Sequence, residues 1–119
     1  MLPAYLGAFA LTLAVEVPVY VVVLAALTGL GRAPAALAAV GVNVVTHPAL
    51  WWGLRPFAAR PAYPYLLCAA EAVVCLVEWG LLVAWTRRPG GTRAGMAVLG
   101  LAVVAANAAS TLAGLLLSG

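Results

Sequence analysis

The sequence predicts an all-α integral membrane protein: four transmembrane helices in a single domain spanning residues 1–119. Three observations carry that expectation. Of 119 residues, 66% are hydrophobic and 8% are charged, against about 25% charged in a soluble domain; mean hydropathy is +1.13. So few charges cannot coat a water-facing surface, which leaves lipid as the main solvent. Four apolar runs reach the roughly 20 residues that a helix needs to cross the hydrocarbon core. The segments between them hold the residues that start and stop helices.

The first run extends from Leu2 to Leu30 and stops at Gly31. It lacks a basic leader and carries Glu16 within its apolar part, so it reads as a retained span rather than a signal peptide. The second runs from Ala35 to Leu54, with Pro34 in its first turn, where a missing N–H is tolerated. The third runs from Tyr65 to Trp85 after Pro64. Gly90 and Gly91 precede the fourth, Ala94 to Leu117.

All six basic residues are arginines. They sit singly or in pairs between the apolar runs, a pattern that suits anionic headgroups and not nucleic acid. Arg32 lies in the first connection and Arg87, Arg88 and Arg93 in the third; the second holds Arg55 and Arg60. This bias predicts a multi-pass protein of the cell membrane with both termini outside and the Arg32 and Arg87–Arg93 loops cytoplasmic. Trp51, Trp52, Phe57, Tyr63 and Tyr65 would form an outer aromatic belt, and Trp85 would mark the inner face.

The acidic residues are the most informative. Glu16, Glu71 and Glu78 are the only ones, and all fall inside spans, as does the single histidine, His47. An acid such as Asp at mid-span costs about 2.5–3.5 kcal/mol on insertion scales, and such residues face an interior functional site by default. The bland alternative is a polar clasp between helices. By helical rise, Glu16, Asn43, Glu78 and Asn107 come out within about 6 Å of the midplane. His47 and Glu71 come out together, roughly 10–12 Å below the outer face.

Spacing assigns faces. Cys68, Glu71, Cys75 and Glu78 form one stripe; Asn43 and His47 are i, i+4 partners; Asn107, Ser110, Thr111 and Gly114 form a small, polar stripe. The two cysteines are about 10.5 Å apart along the axis and cannot bridge each other. Pro48 and Pro18 leave the carbonyls of Val44 and Ala14 without their helical partners. Those oxygens are expected to join a cavity lining, where irregular backbone is tolerated.

Two segment pairs resemble each other. "VEVP" at Val15 parallels "VEWG" at Val77, and "NVVTHPA" at Asn43 parallels "NAASTLA" at Asn107. Two parallel-repeat hairpins are therefore expected, units 2–54 and 65–117, related by an axis along the membrane normal. In that arrangement Glu16 faces Glu78 and Asn43 faces Asn107. His47 and Glu71 pair as a one-sided upper layer, since Thr111 and Phe9 hold the equivalent places.

These groups point first to a buried site for a proton or metal cation in a transport-like role. Two close carboxyls out of water can share a proton. The expected metal ligands are Glu16, His47, Glu71 and Glu78, supported by Asn43, Asn107, Ser110 and Thr111; such a mixed set suits a divalent Zn, Fe or Mn ion. Four helices leave little room for alternating access, so a homo-oligomer or a larger membrane complex is expected. The alternative is an enzyme acting on a lipid or isoprenoid, with Glu16, Glu78, His47 and Glu71 as acid–base or metal-binding groups and Trp79, Trp51 and Tyr20 flanking a cationic intermediate. A third reading is an accessory subunit of a larger complex. No phosphate loop or GxSxG elbow is present, and one histidine does not make a bis-histidine haem site.

Overall fold

The computed structural model describes residues 1–86 and 93–118. It consists of helices α1 (Leu2–Thr28), α2 (Arg32–Leu54), α3 (Tyr63–Thr86) and α4 (Arg93–Ser118), with one 3-10 turn, Arg55–Phe57, after α2. All four helices are long and apolar enough to cross a membrane. Arg87, Arg88, Gly90 and Gly91 lie outside the described residues.

Local chemistry sets the ends. α1 stops at Thr28 because Gly29 takes the left-handed conformation (φ 66°) and its N–H closes the last turn on the Ala25 carbonyl. That cap is available to glycine without a Cβ penalty. α2 then starts at Arg32, earlier than the apolar run suggests, because Pro34 fits in the first turn. Helical hydrogen bonding persists past Pro18 and Pro48, so neither proline ends its helix.

The helices pack in a ring, each against its two sequence neighbours, with α4 closing on α1. α1 therefore lies diagonally opposite α3, and α2 opposite α4. The bundle measures 47 × 25 × 21 Å. Its outer surface is hydrophobic: Leu37, Leu101, Leu116, Tyr65 and Trp85 are all well exposed, as side chains facing acyl tails would be.

The two ends of the ring differ. Toward the Arg32 connection the centre is a close-packed plug of Tyr20, Leu24, Ala35, Ala38, Ala39, Val42, Leu82, Leu99, Val103 and Ala106. Four alanines in this group let the backbones approach closely, the usual means of packing helices in lipid. Toward the Arg55–Tyr63 connection the helices diverge. Among the described residues, no apolar side chain before Glu16, between His47 and Val77, or after Ser110 is fully buried. The space left open is a cavity.

Candidate functional site: a cavity with a polar floor

The cavity has a volume of about 680 Å³. Its walls carry Leu11, Leu50, Leu54, Leu67, Val74 and Leu115; Arg55, Ala58 and Tyr63 lie toward the mouth. Glu16, Asn43, Thr46, Glu78, Asn107 and Ser110, each buried, form a floor where the cavity meets the plug. Glu71, His47 and Thr111, half-buried, line the wall above. The structure thus brings to one cavity the four expected ligands, Glu16, His47, Glu71 and Glu78, and the four polar residues expected to support them.

Glu78 is the most heavily bonded. Its Oε2 accepts from the Tyr20 hydroxyl at 2.5 Å and from the Asn107 amide at 2.9 Å; its Oε1 accepts from Thr46 at 2.6 Å. One carboxyl on α3 therefore ties to α1, α2 and α4 at once. The Asn107 amide also reaches the Tyr20 oxygen at 3.0 Å and the Val103 carbonyl at 3.1 Å.

Glu16 is as deeply buried and far less satisfied. Its Oε1 accepts from Ser110 at 2.6 Å, while its Oε2 is buried without a hydrogen-bond partner. Asn43, on α2, gives one amide N–H to the Ala39 carbonyl at 3.1 Å, and its side chain also faces the Glu16 carboxyl. A buried acceptor with no donor is costly, so the orphaned oxygen marks a place where a donor would be stabilising.

Two hydroxyls make this floor adaptable. Thr46 Oγ1 lies 2.6 Å from Glu78 Oε1 and 2.9 Å from the Val42 carbonyl. Ser110 Oγ lies 2.6 Å from Glu16 Oε1 and 3.0 Å from the Asn107 carbonyl. A hydroxyl has one hydrogen to give and lone pairs to receive. Each can donate to a carboxylate, or turn to the backbone and accept from a carboxylic acid. Both glutamates can gain or lose a proton with no hydrogen bond stranded.

The upper layer departs from expectation. No hydrogen bond joins His47 to Glu71 among the described residues. Glu71 Oε1 accepts from Thr111 at 2.8 Å. His47 packs among rings, with centroids 5.4 Å from Tyr5, 5.1 Å from Phe9 and 6.4 Å from Trp51, and its Nδ1 has no partner. Each is drawn to the facing helix of its own hairpin, and that separates them.

Other expectations shift by helical phase. Ala14 and Val44 are exposed and do not line the cavity, so the carbonyls associated with Pro18 and Pro48 belong to the outer surface. Ala14 and Pro18 each sit two residues from Glu16, about 200° round the helix. Cys68 and Cys75 are free thiols outside the cavity lining, Cys68 exposed and Cys75 packed against the plug. Trp79 packs on α4, its ring 3.3 Å from the point where a Cβ on Gly100 would stand and its Nε1 donating to the Met96 carbonyl at 2.9 Å. It flanks no site, whereas Trp51 does line the cavity and Tyr20 lies beneath the floor.

Thr46 and Tyr20 are the hydrogen-bonding members that spacing did not single out. Thr46 stands level with Ser110 when the two Asn-led segments are aligned, and that match was the signal for it. Among the described residues, no three of the His, Cys and Glu side chains are grouped as ligands to one ion. Comparison with protein families, characterised proteins and solved structures finds no match.

Proposed function

We propose that this is a multi-pass membrane protein whose cavity delivers a proton or other cation to Glu16 and Glu78, as one half of a transport-like cycle. One observation carries the reading. The two carboxyls bound a cavity open toward one end and sealed toward the other, each held by a hydroxyl that suits either protonation state. The proton is the favoured cargo, because that arrangement serves proton gain and loss directly. The arginine bias would set the cavity mouth outside and the plug on the cytoplasmic side.

We further read the two hairpins as copies of one unit. Thr46 of the first bonds Glu78 of the second, and Ser110 of the second bonds Glu16 of the first. Asn43 and Asn107 both turn an N–H to the carbonyl four residues back. Such an exchange is what a two-fold along the bundle axis would produce. Release on the far side would require the plug to part, a motion for which a second copy or a larger partner would supply the bracing surface.

The test is proton flux into liposomes holding the purified protein, read by an internal pH-sensitive dye under an imposed potential. Flux above empty liposomes, abolished in Glu16→Gln and Glu78→Gln, is expected. Absence of flux in correctly folded wild type would overturn the reading. Metal analysis of the same preparation separates the cargoes: stoichiometric Zn, Fe or Mn, lost in Glu16→Gln and His47→Ala, would transfer the site to a metal ion. The apolar walls favour a second reading, chemistry on a lipid or isoprenoid chain, which co-purified lipid would support.

A further inference from the structure

A site for a bare ion needs no apolar vestibule, yet this one has a large one. The volume, about 680 Å³, falls within the roughly 300–1,000 Å³ of small-molecule pockets. Its walls are mainly leucine, valine and tryptophan, with His47, Glu71 and Thr111 set among them, and its deepest polar atom without a partner is Glu16 Oε2, on a side chain 1% exposed. Glu78 is filled by three donors and has no vacancy of this kind. An occupant must therefore present apolar bulk along the walls and a hydrogen-bond donor at the far end. Carboxyls at the floor, with no arginine beside them and His47 held among aromatic rings on the wall above, specify positive charge there. Arg55, near the mouth, is nine residues from Thr46, about 13 Å along the axis, and its Nη2 is engaged with the Met1 thioether.

Resting on the cation reading above, we propose that the cavity receives an apolar molecule bearing a primary ammonium, its N–H groups on Glu16 and its hydrocarbon body against Leu11, Leu50, Leu67 and Trp51. The ammonium brings three donors where Glu16 Oε2 has none, and a charge-assisted bond to a buried carboxylate is roughly twice as strong as a neutral one. Trp51, stacked with His47 and backed by Tyr5, gives the wall a rigid aromatic surface. The amine and the proton then compete for one carboxyl.

Calorimetric titration of the detergent-solubilised protein with hexylammonium, against an empty-micelle blank, tests this. Saturable binding is expected, with hexanol and hexanoate at least tenfold weaker and Glu16→Gln reducing hexylammonium affinity by tenfold or more. Leu50→Trp, which fills the vestibule and leaves Glu16 in place, should also abolish binding; it serves as the second variant should Glu16→Gln fail to fold. Equal binding of hexanol and hexylammonium, or full binding by Leu50→Trp, would overturn the proposal. Proton flux that depends on Glu16 with no hexylammonium binding would sink this inference alone and leave the proton reading standing.

Discussion

Tyr20 and Glu78 are joined by a 2.5 Å hydrogen bond across the diagonal of the helix ring, between residues 58 apart in sequence. Neighbouring helices pack directly against each other; diagonal ones meet where a long side chain crosses the axis. The phenol therefore does more than fill the plug. It ties the top of the sealed half to the polar floor.

The two buried glutamates should then differ in stability. Glu78→Ala strands the Tyr20 hydroxyl, leaves Thr46 and Asn107 the Val42 and Val103 carbonyls of their own helices, and should cost about 1–3 kcal/mol. Glu16→Gln keeps its contact with Ser110 and should cost less than about 1 kcal/mol. Unfolding in mixed detergent–dodecyl sulfate micelles measures both. Equal losses would contradict the division of roles.

Double-mutant cycles should follow the crossed hydroxyl pattern. Thr46→Val with Glu78→Gln, and Ser110→Ala with Glu16→Gln, should each couple by about 0.6–1.7 kcal/mol, the range for interhelical hydrogen bonds in membranes. Thr46→Val with Glu16→Gln should add within about 0.5 kcal/mol. Coupling in the uncrossed pair would show that the floor is one diffuse network.

The upper layer yields a third expectation. Glu71→Ala and Thr111→Val should be non-additive in unfolding free energy, because they remove one bond twice. Glu71→Ala and His47→Ala should be additive to within about 0.5 kcal/mol. Strong His47–Glu71 coupling would restore the pairing that sequence depth suggested.

One-sided access can be read by thiol labelling in a Cys68→Ala, Cys75→Ala background. Single cysteines at Leu50 and Leu67, which line the cavity, should react with a membrane-impermeant maleimide. Cysteines at Leu82 and Val103, both 0% exposed, should not react from either side. Labelling only from outside would match the arginine-based orientation; fast labelling at Val103 would mean that the plug is wet.

The α3–α4 seam offers a packing test. A Cβ on Gly100 would stand 3.3 Å from the Trp79 ring, so Gly100→Leu should cost about 1–3 kcal/mol through overpacking. Gly114, with nothing within 4 Å of its Cβ position, should accept alanine with little change. A neutral Gly100→Leu would mean that the seam is looser than described.

Much of this architecture was legible in the chain. The length of each apolar run predicted the helices, and the acids within those runs were expected to face inward, as the buried Glu16 and Glu78 do. What escaped was angular. Pro18 and Pro48 lie near polar residues in sequence, but one or two positions turn a helix by 100° or 200°, enough to put Ala14 and Val44 outside. Thr46 was inconspicuous because a threonine bonded to its own helix is ordinary; only its second acceptor, Glu78, on another helix, makes it part of the floor. His47 and Glu71 matched in depth yet diverged, since rise along an axis says nothing about which neighbour a side chain meets.

The contrast between an open upper half and a close-packed lower one has an electrical consequence. If the bundle spans a bilayer and water enters the vestibule, its high permittivity would flatten the voltage there, and most of the membrane potential would fall across the apolar plug. A charge passing from Glu16 to the Arg32 side would then cross nearly the whole drop, about 2.3 kcal/mol per 100 mV, within the length of a few helical turns.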